Sequence, residues 1–319
     1  MFSISRSLHL ILMWFLGLAL VAPAPAFCSE ALITNQPGDS LTVIELGSMQ
    51  PVAEIKIGGK PAGIALSPDK TMAYVTAPDG KEVIEVDAIQ RAVTRRLKLG
   101  SGPLGIAAHP TRREIYVADW YSHQIAVVDA TQFKVVADIA VGQSPSGLAV
   151  TPDGTTLLSA DRDSNQVSII DLATRTVAAV VPTGERPFGI TISADGTRAY
   201  TANVASDDIT VIDIAGRKPI GRVAVGHRPY AVALAKGRGF ATDQYTGTVS
   251  VFDTVTLLPV KTIEACDHPE GIEADAQMAF VYVACWGDNL LLRIDAETLA
   301  VTGKAAVGDG PRAFGKFLR

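Results

Sequence analysis

The chain has 319 residues, of which 48% are hydrophobic, 19% charged and 6% aromatic. This length and hydrophobic content allow one or two domains with a real core and exclude a disordered chain. The formal net charge is −5 and the isoelectric point about 5.6. Because nucleic-acid-binding proteins normally carry a basic excess, we expect no nucleic-acid partner.

The first 28 residues have the organisation of a secretory signal peptide. Arg6 supplies a positive charge, the segment Leu8–Ala22 is almost entirely apolar, and alternating alanines and prolines follow up to Ala26. Such small residues suit cleavage by signal peptidase, which we predict after Ala26 or Cys28. An uncleaved anchor is the alternative. No later segment is apolar over a length that could cross a bilayer, so we expect a periplasmic or secreted protein without a membrane span after cleavage.

A repeat of about 42 residues fills the remaining chain, residues 29–319. When the repeats are aligned, the same residue type recurs at certain positions, which form columns. The first column is proline, usually with glycine two residues later, at Pro61, Pro103, Pro145, Pro187, Pro229, Pro269 and Pro311. A second column of mostly Asn or Asp comprises Asn35, Ala77, Asp119, Asp161, Asn203, Asp243 and Cys285. A third, acidic column comprises Glu45, Asp87, Asp129, Asp171, Asp213, Asp253 and Asp295. We expect the proline–glycine pair of the first column to shape the entry to the inner strand. We expect the polar side chains of the other two columns to accept hydrogen bonds from backbone amides in turns.

Each repeat predicts four short strands. In the unit that begins at Pro145 they are Gly147–Thr151, Leu157–Ala160, Gln166–Asp171 and Val177–Val181. These runs are rich in Val, Ile, Thr and Ala and are separated by Gly, Pro, Asp and Ser. Four short strands in roughly 40 residues are the period of a β-propeller blade.

Six complete units leave a fragment at each end of the repeat. Ala31–Ile57 has the pattern of the last three strands of a unit, and Pro311–Arg319 has the pattern of a first strand. Pairing the two would remove the exposed edges of an open ring. The sequence therefore predicts an all-β, seven-bladed propeller of four-stranded blades, closed by the C-terminal strand joining the N-terminal strands.

Short motifs within the repeat resemble a known family. The segments Ile115–Asp119, Gln124–Asp129 and Tyr200–Asn203, with Thr151-Pro-Asp-Gly154, are similar to the YVTN-type β-propeller repeat. The resemblance covers residues 31–319 and implies an exported propeller, as found in surface-layer and periplasmic proteins. Related propellers carry haem- or quinone-linked redox chemistry, or bind partners without chemistry. The family motif is architectural, so it implies no catalytic residues.

Candidate binding residues gather at one mouth of the predicted channel, because the loops between blades and those after each second strand share a face. Small residues occupy the mouth in the first three complete units, whereas bulky and charged residues occupy it in the last three. The predicted ligand-binding residues are Arg186, Phe188, His227, Arg228, Tyr230, His268, Glu270 and Trp286. A solvated rim that binds nothing is the alternative.

Cofactor chemistry receives little support from the sequence. It contains no Cys-x-x-Cys-His, Gly-x-Ser-x-Gly, Walker or His-Glu-x-x-His motif, so we predict no catalytic residue and no metal site. His227 and His268 are possible ligands for haem or a metal, and Asp119, Asp161 and Asp243 for calcium. Their roles as rim or turn-capping residues are the simpler interpretation.

Two cysteines in the last complete unit, Cys266 and Cys285, lie on the mouth face. Export implies an oxidising compartment, in which we predict that they form a disulfide. Two free, buried thiols are the alternative.

Two functions remain open. The first is a non-enzymatic binding or scaffold protein that recognises a segment of a periplasmic or cell-surface protein, or a small anionic ligand, at the mouth. The second is a redox-associated propeller, such as a haem- or quinone-linked dehydrogenase subunit, or a metal-dependent hydrolase. The missing catalytic motifs and the asymmetric mouth favour the first.

Overall fold

The computed structural model describes residue 2 and residues 29–319. The predicted signal peptide, apart from Phe2, lies outside the described residues. Within the described part, no helix combines the length and apolar character needed to span a bilayer.

Residues 29–319 form seven sheets, each a blade of the predicted propeller. The N-terminal strands, which belong to the composite blade, are β1 (Glu30–Asn35), β2 (Ser40–Glu45) and β3 (Gln50–Lys56). Blade one comprises β4 (Gly63–Leu66), β5 (Met72–Ala77), β6 (Glu82–Asp87) and β7 (Ala92–Lys98). Blade two comprises β8 (Pro103–Ala108), β9 (Glu114–Asp119), β10 (Gln124–Asp129) and β11 (Lys134–Ala140).

Blades three to six follow in the same order. Blade three comprises β12 (Pro145–Val150), β13 (Thr156–Asp161), a short 3₁₀ helix (Arg162–Ser164), β14 (Gln166–Asp171) and β15 (Thr176–Pro182). Blade four comprises β16 (Pro187–Ile192), β17 (Arg198–Asn203), β18 (Asp208–Asp213) and β19 (Lys218–Ala224). Blade five comprises β20 (Pro229–Ala235), β21 (Arg238–Asp243), β22 (Thr248–Asp253) and β23 (Pro259–Glu264). Blade six comprises β24 (Pro269–Ala274), β25 (Phe280–Cys285), β26 (Leu290–Asp295) and β27 (Val301–Ala306), and the chain ends with β28 (Phe314–Gly315).

The core lies between adjacent blades, which explains the burial of each strand type. The second and third strands of a blade, such as β13 and β14, are almost wholly buried because neighbouring sheets cover both their faces. The fourth strand, such as β15, forms the outer edge and is mostly exposed. Runs of Val, Ile and Ala in the middle strands therefore supply the apolar contacts that hold one blade against the next.

The ring closes as predicted, through the C-terminal segment. Antiparallel bridges pair Ala31 with Leu318 and Asn35 with Pro311, so this segment is the inner strand of the composite blade. Its middle departs from a regular strand, because β28 bulges out and pairs in parallel with β4 of blade one. Gly315 makes this possible, since its φ is +132° and an added Cβ would lie 2.2 Å from the Ile64 carbonyl oxygen.

The glycine after each column proline is explained by the spacing of the inner strands. A β-bulge between Pro145 and Leu148 pushes the intervening residues towards the next blade. A Cβ added at Gly147 would lie 2.4 Å from the Phe188 carbonyl oxygen, and one added at Gly189 would lie 2.5 Å from that of Tyr230. Glycine is therefore required here for close approach of backbones around the channel.

Candidate functional site

Two rings of side chains surround the mouth of the channel. The loop ring consists of the residues that follow the second column: Gln36, Pro78, Trp120, Arg162, Val204, Gln244 and Trp286. The strand ring consists of the residues that follow the column prolines: Ala62, Leu104, Ser146, Phe188, Tyr230, Glu270 and Arg312. Both rings are products of the repeat, whereas the identity of each side chain differs from blade to blade.

A repeated backbone hydrogen bond fixes the loop ring. The amide of Trp120 donates to the carbonyl of Gly102 at 3.0 Å, and the amide of Gln244 donates to that of Arg228 at 3.0 Å. The same bond recurs in every blade except blade one, where Pro78 has no N–H to donate. The loop after each second strand is thereby tied to the residue before the column proline that begins the same blade.

The residue before the proline often has a left-handed backbone. Arg186 and Arg228 both have φ of 57°, a conformation that costs energy for residues other than glycine. The amide of Arg228 donates to Asp207 Oδ1 at 2.8 Å, and that of Arg186 donates to Asn165 Oδ1 at 2.8 Å. These bonds hold both arginines in defined positions at the mouth.

The mouth pocket, with a volume of about 350 Å³, lies inside the two rings. Its lining residues are Gln36, Pro78, Gly102, Leu104, Trp120, Tyr121, Arg162, Phe188, Val204, Arg228, Tyr230, Gln244 and Arg312. Three of them are arginines and none is acidic. The pocket therefore combines positive charge with aromatic walls.

A hydrogen-bonded chain connects two of the arginines that line the pocket. Arg228 Nε donates to Gln244 Oε1 at 2.6 Å, and Gln244 Nε2 donates to Glu270 Oε1 at 2.6 Å. Arg312 Nε donates to the other carboxylate oxygen of Glu270 at 2.8 Å and Arg312 Nη1 to Gln36 at 3.0 Å. The Glu270 side chain is only 2% exposed, so it acts as a buried anchor for this chain.

The third arginine, Arg162, covers the ring of Trp120, with its guanidinium carbon 5.3 Å from the ring centroid. Its Nη1 donates to Asp163 at 2.6 Å. Burial, and then the positive charges of Arg186 and Arg228, lower the pKa of Arg162, while Asp163 raises it. The lowered pKa of Arg162 therefore reflects burial first, with the two neighbouring guanidinium groups as smaller contributions.

Aromatic rings form a cluster beside the pocket. Phe188 lies 4.7 Å from Tyr230 and 4.9 Å from Phe314 between ring centroids, and Trp120 contacts Phe188 from the side at 6.3 Å. Trp120, Phe188 and Tyr230 line the mouth pocket, whereas Phe314 lines a second cavity of about 350 Å³ formed mainly by the inner strands. The aromatic cluster therefore borders both cavities.

The predicted site residues divide between pocket and rim. Phe188, Arg228 and Tyr230 line the pocket, and Glu270 supports it from beneath. The other four do not line it. Arg186 reaches towards Asp163 at 3.8 Å, His227 bonds Asp207 at 2.7 Å, and His268 bonds Asp267 at 2.6 Å and contacts the ring of Trp286. A ligand-binding role for all eight residues stays a prediction.

The sequence interpretation did not select several lining residues, notably Arg312, Arg162, Trp120 and Gln244. Arg312 and Arg162 stand in the same repeat columns as the selected residues, so the signal was present. Arg312, Arg162 and Trp120 belong to blades other than the three on which the predicted asymmetry of the mouth rests, whereas Gln244 lies within those three and is an uncharged loop residue.

The acidic columns are engaged in hydrogen bonds. Asp119 accepts from the backbone amides of Ser101, Gly102, Tyr121 and Ser122, as expected of a turn cap. Asp161 and Asp243 instead accept mainly from Ser and Thr hydroxyls, which lie on the neighbouring strand except for Ser159 on the strand of Asp161 itself. In the described part of the chain, no three His, Cys, Asp or Glu side chains come together as a metal site.

Cys266 and Cys285 are joined by a disulfide bond in the structure. The bond ties the segment after β23 to the end of β25, and so links blades five and six at the mouth face. It lies beside the His268 loop, outside the lining of the pocket.

Fold and site together define a seven-bladed β-propeller with a cationic, aromatic pocket at one mouth of its channel. The chain belongs to the YNCE-like β-propeller family, whose model matches residues 66–238. No curated protein matches it significantly. The narrower resemblance to YVTN-type repeats stays a prediction.

Solved structures share the fold at low sequence identity. A protein of unknown function from Desulfotomaculum acetoxidans is 15% identical, with a TM-score of 0.74 over 91% of this chain and 98% of that one. Hydrazine synthase from Kuenenia stuttgartiensis is 20% identical, with a TM-score of 0.69 over 79% and 88%. The dihydro-haem d1 dehydrogenase NirN is 15% identical, with a TM-score of 0.69 over 92% and 77%. At these identities the similarity concerns the fold.

Proposed function

We propose that this protein is an exported binding protein that captures an organic anion in the mouth pocket, either a small molecule or the acidic group of a protein segment. The observation that carries the proposal is the lining itself, which has three arginines and no carboxylate beside aromatic walls. Few polar anchors in a mostly apolar concavity are typical of ligand sites, and arginine suits carboxylates and phosphates.

Preorganisation of the charged groups supports the same function. The chain from Arg228 through Gln244 and Glu270 to Arg312 holds both guanidinium groups before any ligand arrives. A ligand would therefore meet donors that lose little side-chain freedom on binding. The predicted signal peptide and the Cys266–Cys285 disulfide support export, since structural disulfides persist mainly in oxidising compartments.

The proposal is tested by ligand-induced stabilisation of the mature protein. A panel of organic carboxylates, phosphates, sulfonates and acidic peptides is added while thermal unfolding is recorded, and a binding anion should raise the midpoint. Arg228→Gln should abolish this increase. Arg186→Gln is the matched control, because Arg186 occupies the equivalent position one blade earlier and does not line the pocket. If every anion acts equally on the Arg228 variant, the site is elsewhere.

A redox-associated function is the second candidate. Its basis is the shared fold with NirN, described as a dihydro-haem d1 dehydrogenase, together with arginines able to pair with carboxylates of a tetrapyrrole. The fit is incomplete, because no His, Cys or Met lines the mouth pocket in the described residues. The side chains of His227 and His268 lie on the rim, each bonded to an aspartate. Visible absorption of the purified protein separates the candidates, since a haem band would favour the redox function.

A further inference from the structure

Arg228 differs from the other two lining arginines in its partners. Arg312 is paired with the carboxylate of Glu270 at 2.8 Å, and Arg162 with that of Asp163 at 2.6 Å. The side chain of Arg228 has no carboxylate partner among the described residues, and its Nε bonds the neutral amide of Gln244. The pocket therefore contains one guanidinium whose charge is not compensated by a direct ion pair.

The orientation of that guanidinium is fixed on two sides. Gln244 occupies Nε, and the Gln244 amide is itself oriented by its bond to Glu270. The ring of Tyr245 lies against the guanidinium face, 4.9 Å from its central carbon. Nη1 and Nη2 of Arg228 have no partner in the described part of the chain. They form an end-on pair of donors whose spacing matches the two oxygens of one carboxylate.

The surface beside Arg228 is apolar and aromatic. Phe188, Trp120 and Val204 line the same pocket, and Phe188 is in contact with both Trp120 and Tyr230. Flat rings favour offset-stacked or edge-to-face contacts with other rings. A volume of about 350 Å³ at the lower end of the usual range for ligand sites suits a body of one or two rings.

Tyr230 contributes its ring to this wall. Its hydroxyl is buried and makes no hydrogen bond of normal geometry among the described residues. Burial raises the pKa of Tyr230, and the neighbouring Glu270 and Arg312 also influence it, so the hydroxyl stays protonated beside these two side chains.

We infer that the ligand of the mouth pocket is a small aromatic monocarboxylate. Its carboxylate pairs end-on with the terminal nitrogens of Arg228, and its ring packs on Phe188 and Trp120. The single uncompensated charge favours one carboxylate over a dianion or a phosphate. This inference rests on the proposed function and narrows it to a ligand class.

Calorimetric titration of the mature protein tests the class with five probes. Benzoate and 2-naphthoate should bind, 2-naphthoate the more tightly because it covers more of the aromatic wall. Benzamide should not bind, because it lacks the charge. Cyclohexanecarboxylate and inorganic phosphate should bind at least about tenfold more weakly than benzoate, the first for lack of a flat ring and the second for its charge and shape.

Two variants locate the binding. Arg228→Gln should weaken 2-naphthoate binding by about 10- to 100-fold, the range expected when a charge-assisted pair is lost. Arg186→Gln should weaken it far less than Arg228→Gln does, because Arg186 does not line the pocket. Phe188→Leu should reduce the preference for 2-naphthoate over cyclohexanecarboxylate while carboxylate binding persists, which tests the ring contact even if Arg228→Gln folds poorly.

The outcomes separate the ligand class from the proposed function. Binding of 2-naphthoate that is indifferent to both Arg228→Gln and Phe188→Leu overturns the inference. Preferential, Arg228-dependent binding of phosphate, a dicarboxylate or an acidic peptide also overturns it but leaves the anion-binding function standing. If neither these probes nor the wider panel binds, both proposals fail.

Discussion

Asp243 provides a test of how blade five is held together. The carboxylate is fully buried, and its Oδ2 accepts hydrogen bonds from Thr248 at 2.9 Å and Ser250 at 2.7 Å. Its Oδ1 has no partner in the described residues. Burial raises the pKa of Asp243 from 3.8 to about 6, which the two hydroxyls only partly offset. The folded protein therefore holds this proton over a pH range in which the unfolded chain releases it.

The raised pKa sets the sign of the pH dependence. Between pH 4 and pH 6 the native state binds more protons at Asp243 than the unfolded state does, so this group makes stability fall as pH rises. A shift from 3.8 to about 6 corresponds to about 3 kcal/mol in total, of which about 2 kcal/mol is lost between pH 4 and pH 6. The contribution levels off only near pH 7.

Asp243→Asn should remove this dependence without disturbing the packing. Asparagine stands at the equivalent position in blade four, where Asn203 Nδ2 donates to the Thr210 hydroxyl at 2.8 Å. We expect the unfolding free energy of the variant, relative to the natural protein, to rise by about 2 kcal/mol from pH 4 to pH 6.5 and then to level off.

Urea unfolding at a series of pH values measures the effect. Asp253→Asn in the same blade is the control, because backbone amides of Thr256 and Val255 lower the pKa of Asp253. The relative stability of that variant should fall as pH rises through the acid range, which is the opposite direction. If the difference for Asp243→Asn is the same at pH 4 and pH 7, the carboxylate is not desolvated in the folded protein and the reasoning fails.

Three further predictions concern the closure of the ring, the disulfide bond and the close approach of neighbouring inner strands. Removal of residues 311–319 should leave the inner edge of β1 unpaired and abolish cooperative unfolding, seen as aggregation or a broad calorimetric transition; an unchanged midpoint would contradict the closure. Thiol titration of the unfolded mature protein without reductant should find neither Cys266 nor Cys285 free, and replacing both by serine should cost roughly 3 kcal/mol for a loop of this size, measured by urea unfolding. Gly147→Ala should destabilise by about 1–3 kcal/mol, because its Cβ meets the Phe188 carbonyl oxygen, and an unaltered melting temperature would count against the close approach.

The fold could be predicted because the repeat records it several times over. Each column marks the same turn or strand end in successive blades. A segment whose secondary structure is ambiguous in one blade can therefore be assigned from the equivalent segments of the others. The seven-bladed ring and its closure by the C-terminal segment were predictable on this basis and are confirmed. The bulge that sends Phe314 and Gly315 to β4 was not, because it occurs once and depends on packing at the junction of the two chain ends.

The site was only partly predictable, for a different reason. The columns identify which positions face the mouth, and they led to Arg228, Tyr230 and Phe188. The columns do not predict which charged side chain at the mouth has its charge compensated by a neighbouring residue. The chain through Gln244 to Glu270 depends on distances across two blades, which no local pattern in the sequence contains.

Closure of the ring by the last residues has a consequence for the timing of folding. Arg319 Nη1 bonds Glu30, 289 positions away along the chain, so the composite blade cannot assemble until Arg319 has been synthesised. Contacts of such long range form late and slowly, because loop closure opposes them until the intervening blades are in place. For a chain that carries the predicted signal peptide, this delay favours threading through a membrane translocase as an unclosed polypeptide. The finished ring, with its disulfide, would then form only on the far side.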